Sequence, residues 1–332
     1  MLVSFALFCH LLRMKTLPGI AWLPVQDYQK NLFDEIAVDP ALCGSKLSNY
    51  GDIVYSKENL GQVFWCRTVL EKPFIAEFQT IREASDILRG IQRNWAHYPV
   101  AAFRRAELLK EKLPFINEKP RRFPYTVPLS PMGIWSLIDE NTIFASAVTS
   151  SPFPCGEIRF EEDHVNPPSR AYQKLYEALT WVSWLKSTNA SLSASFPGPT
   201  SRCVDAGACP GGWTWVLNFL GAQITAIDRS ELDPRLMNKP GITFVKHDAF
   251  TLKPADLGQQ DWVFSDVICY PARLLEWVQE WLESGLCKNF VCTIKMQGVP
   301  DHVTTRAFAA IPGSRIVHLT ANKNELTWIR CG

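Results

Sequence analysis

Across the second half of the chain, short apolar runs alternate with stretches whose apolar residues recur at helical spacing. The runs predict strands at Arg202–Asp205, Gln223–Asp228, Ile242–Lys246, Asp261–Asp266, Phe290–Lys295, Arg315–Leu319 and Glu325–Arg330. Between them Trp213–Leu220 reads as a helix. Pro271–Leu286 places Leu274, Leu275, Val278, Trp281 and Leu282 on one stripe suited to a core. Strands and helices in alternation predict a mostly parallel, doubly wound α/β sheet with its ligand at the C-terminal strand ends.

The first half follows another pattern. Gly61–Leu70 reads as a buried strand, and Ile81–Asn94 as an amphipathic helix with Ile81, Ala84, Ile87, Leu88 and Ile91 on one face. A second helix is expected over Val100–Lys112, ended by Leu113-Pro114, with strands at Ile134–Ile138 and Thr142–Ala147. This mixture suggests a smaller α+β domain. The run Glu161-Glu162-Asp163-His164-Val165-Asn166-Pro167-Pro168 is acidic and then doubly proline-punctuated. It places the junction near residue 165, in preference to the turn-rich Ser151–Gly156. Domains are therefore expected over 1–165 and 166–332.

Composition narrows this picture. With 332 residues, 47% hydrophobic and 20% charged, the chain is long and apolar enough for two packed cores. A net charge of +1 means that any RNA binding must come from a local patch. One candidate is Arg89, Arg93, Arg104, Arg105, Lys110, Lys112, Lys119, Arg121 and Arg122, opposed only by Glu107, Glu111 and Glu118. Trp95, His97, Tyr98, Phe103, Phe123 and Tyr125 lie among or just beyond them, so the segment suits phosphates and unpaired bases, or else is a solvated face with its aromatics in the core. The ten cysteines show no CxxC pair, which argues against a metal site or a disulfide framework and for a reducing, cytoplasmic setting. Leu2–Leu12 is apolar but lacks a basic flank before it and is shorter than the ~20 residues a bilayer needs. No membrane association is expected, and Met14 is an alternative first residue.

Candidate chemistry centres on Val204-Asp205-Ala206-Gly207-Ala208-Cys209-Pro210-Gly211-Gly212-Trp213, a strand running through a glycine-rich turn into a helix. Such a turn lets backbone amides approach an adenosine-type cofactor. Asp228, 21 positions after Gly207 and ending the next strand, suits the cofactor ribose; Asp248, after the third strand, suits the adenine amino group. Either can instead be a turn or cap residue. Lys174, Asp266, Lys295 and Glu325 fall on the preceding helix and at strand ends. Singly each has an ordinary reading, and their joint placement points to chemistry on a hydroxyl. Lys295 is then the candidate base or positioning group, oriented by Asp266. Lys174 is a second cation, and Glu325 orients Lys174 or the substrate.

The turn Asp205–Trp213 resembles motif I of the FtsJ-type methyltransferases. The helix Ser169-Arg170-Ala171-Tyr172-Gln173-Lys174-Leu175-Tyr176-Glu177 and the pieces Ser265-Asp266, Ile294-Lys295 and Asn324-Glu325-Leu326-Thr327 are similar to that family's remaining positions. The 29-residue interval from Asp266 to Lys295 resembles the RlmM branch, which methylates a cytidine ribose in large-subunit rRNA. The resemblance covers residues 166–332. It implies a Rossmann-like class I methyltransferase sheet and an N-terminal RNA-binding region related to THUMP domains. It also implies S-adenosylmethionine as cofactor and catalysis of 2′-O-methylation by Lys174, Asp266, Lys295 and Glu325. The cofactor would be bound by Asp205, Gly207, Ala208, Pro210, Gly211, Gly212, Trp213, Asp228, Asp248 and Asp266. The expected partner is RNA, foremost rRNA. Other readings are a tRNA 2′-O-methyltransferase, a non-catalytic RNA-binding or ribosome-assembly factor, and a dinucleotide-dependent oxidoreductase. The last is disfavoured by Pro210-Gly211-Gly212 in place of GxGxxG. The oligomeric state is not specified by the sequence.

Overall fold

The computed structural model describes residues 14–39, 41–58, 61–192, 194 and 196–332; the apolar run Leu2–Leu12 lies outside them. One compact unit takes the chain up to Lys119 together with Pro128–Ile158, and a second takes Pro120–Val127 and Arg159–Gly332.

The first unit holds nine strands among its described residues: β1 (Met14–Thr16), β2 (Ile20–Pro24), β3 (Leu47–Tyr50), β4 (Ile53–Ser56), β5 (Cys66–Leu70), β6 (Pro73–Glu77), β7 (Trp95–His97), β8 (Gly133–Leu137) and β9 (Thr142–Ser146). They form a five-stranded sheet of order β1-β6-β9-β8-β7 and a four-stranded sheet of order β3-β4-β2-β5. Period-two alternation in β8 and β9 sends Trp135, Leu137, Ile143 and Ala145 to one face. There they pack on Ala84, Ile87, Leu88, Ala106 and Leu109 of helices Ile81–Ile91 and Phe103–Lys110. Ile134 and Phe144 face the other way, against Ala21, Leu23, Ile53 and Tyr55 of the four-stranded sheet. Thr80 caps the first helix by accepting from the Glu83 amide, and Ile91, 39% exposed, falls off the expected stripe.

The expected strand at Gly61–Leu70 is paired only over Cys66–Leu70. Before it, the Phe64 and Trp65 amides donate to buried Glu35 Oε2, both at 2.9 Å, so a carboxylate replaces a partner strand. The basic segment is divided between the units, with Arg121 and Arg122 in the second. Of its aromatics, Trp95 and Phe123 are buried and His97, Tyr98 and Tyr125 are partly buried. Trp95 is 2% exposed and donates its indole N–H to the Leu88 carbonyl, whereas Phe103 is 62% exposed.

The second unit is built on β10 (Arg202–Ala206), β11 (Gln223–Asp228), β12 (Ile242–Lys246), β13 (Trp262–Ser265), β14 (Phe290–Lys295), β15 (Ser314–Val317) and β16 (Glu325–Arg330). The sheet order is β12-β11-β10-β13-β14-β16-β15. The pairings from β12 through β14 are parallel, and β16 lies antiparallel between β14 and β15. This is the mostly parallel, doubly wound sheet the alternation predicted, and the Rossmann-like arrangement the resemblance implied. The order reverses at β10, flanked by β11 and β13, which is where open α/β sheets form a crevice at their C-terminal ends. Helix Tyr172–Thr188 packs on helix Gly212–Phe219. Helix Pro271–Ser284 buries Leu274, Trp277, Val278 and Trp281; Leu275 and Leu282 are only partly buried, so Trp277 belongs to the stripe in their place. Pro120–Val127 joins this unit because Arg121 exchanges backbone hydrogen bonds with Arg159 and Glu161 and Phe123 stacks on Tyr176 at 3.9 Å. Among the described residues no helix is long and apolar enough to cross a membrane, and no cluster of three or more His, Cys, Asp or Glu could hold a metal.

Candidate active site

The glycine-rich turn leaves β10 at the reversal point. Gly207 has φ +76°, and a Cβ there would lie 2.2 Å from Val267 Cγ2, so only glycine allows the strand to turn this close to β13. The Gly207 and Ala208 amides donate to the Ile227 carbonyl, and the Cys209–Pro210 peptide is cis. Gly211 sits at φ +111° against Leu236 and starts helix Gly212–Phe219. Trp213 is buried, with its indole N–H on the Ala171 carbonyl at 2.9 Å.

The acids differ in setting. Asp205 is 1% exposed, and its Oδ2 accepts the Thr214 hydroxyl at 2.6 Å. Burial pushes its pKa up to about 7, aided by the charges of Asp266 and Asp228 and opposed by the Thr214 hydrogen bonds. Asp228 ends β11 and accepts the Cys209 amide at 3.0 Å and the Ser230 amide at 2.8 Å, which ties it to the glycine turn. Asp248 follows β12, accepts the Phe250 amide at 3.0 Å and pairs with Arg229. Partial burial works to raise its pKa, but the Arg229 and Phe250 bonds and nearby Arg273 bring it below the usual carboxylate value.

Lys174, Asp266, Lys295 and Glu325 are brought together. Parallel pairing of β13 with β14 sets Asp266, just past β13, beside Lys295 at the end of β14. The β14–β16 register puts Lys295 directly opposite Glu325. Lys174, projecting from helix Tyr172–Thr188 and 8% exposed, donates to Asp266 Oδ1 and Oδ2 at 2.8 and 2.7 Å and to Glu325 Oε1 at 3.1 Å. Its three N–H bonds match three carboxylate contacts. Lys295 Nζ donates to the Asp266 carbonyl at 2.6 Å and lies 3.1 Å from Asp266 Oδ1. Two cations and two carboxylates thus neutralise one another at a part-buried sheet end, as buried charges require.

Two cavities open along this edge. One of about 570 Å³ is lined by Gly207, Asp228, Arg229, Asp248, Phe250, Tyr270 and Arg273, among others. The other, about 340 Å³, is lined by Ser169, Asp205, Gly207, Ala208, Pro210, Gly212, Trp213, Asp228, Asp266 and Lys295, among others. Gly207 and Asp228 face both. Lys174, Glu325 and Gly211 line neither and stand behind the walls.

The FtsJ-like methyltransferase family matches residues 167–315, which include the glycine turn, three of the four clustered charges and both cavity walls. That stretch is similar to FtsJ-like methyltransferases. Proteins named Ribosomal RNA large subunit methyltransferase M are similar to the chain. The one from Xylella fastidiosa is 36% identical over 129 residues, covering 39% of this chain and 35% of its own length. The one from Alkalilimnicola ehrlichii is 33% identical over 184 residues, 55% and 47% of the two lengths. The one from Xanthomonas euvesicatoria is 29% identical over 216 residues, 64% and 56%. The matched part therefore spans between about a third and just over half of these relatives.

FtsJ-like methyltransferases use S-adenosylmethionine. The second unit fits such a group on its own geometry. A Cβ at Gly212 would lie 2.5 Å from Ser169 Oγ, so the turn's wall is kept clear, and the Asp228 carboxylate ends β11 while that of Asp248 follows β12 by two residues. Sequence reasoning missed Ser169. Its buried hydroxyl lines the smaller cavity without a hydrogen-bond partner, and a serine after Pro167-Pro168 reads only as an ordinary residue entering a helix.

Proposed function

We propose that this chain transfers a methyl group to a ribose 2′-hydroxyl of RNA, with large-subunit rRNA as its substrate. The convergence of Lys174, Asp266, Lys295 and Glu325 beside the glycine turn carries the reading, because a hydroxyl nucleophile needs an oriented hydrogen-bond partner at the methyl donor's edge. The names of the similar proteins support rRNA as the substrate.

S-adenosylmethionine, held by the glycine turn with Asp228 at its ribose and Asp248 at its base, would supply an electrophilic methyl on a sulfonium. Lys295 stands on the cavity wall with two of its donor directions spent on Asp266, which leaves one to hold the incoming hydroxyl. As the new C–O bond formed and the methyl–sulfur bond broke, the hydroxyl proton would become strongly acidic, and the Asp266 carboxylate, on the same cavity wall as Lys295, is placed to receive it. Lys174 and Glu325 act from behind, fixing the Asp266 carboxylate so that Lys295 keeps its aim. Nucleoside mass spectrometry on rRNA from cells lacking the protein tests this. Loss of one 2′-O-methylated nucleoside, restored by the wild type and not by Lys295→Ala, is the expected result. An unchanged rRNA profile removes the rRNA assignment and moves the search to tRNA.

A further inference from the structure

Six large hydrophobic side chains of the second unit are exposed among the described residues. Four of them, Ile268 (77%), Tyr270 (69%), Val299 (82%) and Val303 (81%), follow the two strands that lead into Asp266 and Lys295. The segments that carry them are fastened. Lys295 holds the Asp266 carbonyl, Gln297 Nε2 reaches the Cys269 carbonyl at 3.5 Å, and Asn324 Nδ2 donates to the Gly298 carbonyl at 3.0 Å. Asp301 caps helix His302–Ala310 through the Thr304 amide and hydroxyl, at 2.9 and 2.6 Å. A backbone pinned in this way that still turns apolar side chains to water marks a binding surface more than a packing failure.

The charges beside it select the occupant. Tyr270 precedes helix Pro271–Ser284 and has Arg273 three residues on; Val303 has Arg306 three residues on along its own helix. Exposed apolar side chains following the two strands that lead to Asp266 and Lys295, with the Arg273 guanidinium over Phe250 on the larger cavity's wall beside Tyr270, suit a ligand with flat, stackable faces and anionic links between them. We propose that Tyr270, with Val299 and Val303, stacks on unpaired bases flanking the target ribose, so that the enzyme takes a single-stranded nucleotide and not one held in a duplex. This rests on the methyl-transfer reading above, because that reading brings a ribose to Lys295.

The test is methyl transfer to protein-free rRNA from cells lacking the protein, with the full chain as wild type, Tyr270→Ala and Tyr270→Phe. KM for RNA is measured alongside S-adenosylmethionine affinity by calorimetry. Loss of one stacked base predicts a rise in RNA KM of about 5- to 150-fold for Tyr270→Ala. Tyr270→Phe should stay near wild type, and in Tyr270→Ala any loss of cofactor affinity should be smaller than the rise in RNA KM. Weakened cofactor affinity at constant RNA KM would assign the ring to the cofactor base and overturn the proposal, as would no change in either. An effect seen only on ribosomal precursor particles would assign the platform to a protein and overturn it too. If the wild type methylates no RNA, the function proposed above fails separately. The platform is then judged by fluorescence anisotropy with a labelled oligocytidylate, single-stranded or annealed to its complement. Binding that is equal for the two forms, or unaffected by Tyr270→Ala, rejects it.

Discussion

Glu35 in the first unit and Lys174 in the second are both charged groups withdrawn from water, 1% and 8% exposed, yet they serve different ends. Glu35 is satisfied by backbone: the Phe64 and Trp65 amides converge on one of its oxygens and fasten the segment before β5. Lys174 is satisfied by other charges, and those charges reach a cavity through Asp266 and Lys295. Burial of a charge therefore does not separate a fastening from a site. The separating feature is whether its partners are themselves ionisable and lead to open volume.

The sharpest test of that contrast is Lys295→Ala, expected to lower kcat about 100-fold or more while leaving the thermal midpoint near wild type, read by methyl transfer and calorimetry. Next comes Gly207→Ala. Its Cβ would meet Val267 at a backbone angle that disfavours any side chain, so cofactor affinity should fall about tenfold or more, measured by isothermal titration. Glu35→Ala should do the reverse of Lys295→Ala. One buried and one part-buried amide lose their acceptor, costing about 2–4 kcal/mol in urea unfolding, with kcat unchanged at a temperature where the variant is folded. If its kcat fell as steeply as that of Lys295→Ala, the contrast would collapse.

The smallest effect is a pH slope. The pKa of Asp205 is raised to about 7 in the folded chain from its ordinary value of 3.8, so the folded state holds its proton where the unfolded state has lost it. Its contribution is full below about pH 4 and is lost as pH rises through about 7. Asp205→Asn, which still accepts from Thr214, should flatten that part of the stability profile in urea titrations from pH 4 to 8. An unaltered slope would show that Asp205 ionises normally.

Where a strand was flanked by turn formers, its bounds were legible. β11, β12, β14 and β16 run over the expected residues, set off by Gly221, Gly241, Asn289 and Asn324. The glycine turn and the order of the four charges were legible for the same local reason. Other features depended on contacts distant in sequence. Ile20–Pro24 is apolar on both faces and ends in proline, so periodicity gave no sign of β2. The Pro120–Val127 excursion into the second unit rests on Phe123 meeting Tyr176, 53 residues away in the chain. The division of labour within the cluster was equally hidden. That Lys174 and Glu325 stand behind the cavity wall follows from side-chain reach, which no spacing encodes.

The antiparallel insertion of β16 also orders events during synthesis. Glu325 and its strand are made 30 residues or more after Lys295, yet they pair along the full length of β14 and face Lys295. A nascent chain that has made β14 but not β16 carries Lys295 on an unpaired sheet edge with no carboxylate opposite it. The charge cluster therefore closes only once residue 325 has been made, and a chain truncated before it would keep the residues of the glycine turn and of both cavity walls while lacking the clamp that holds Lys174.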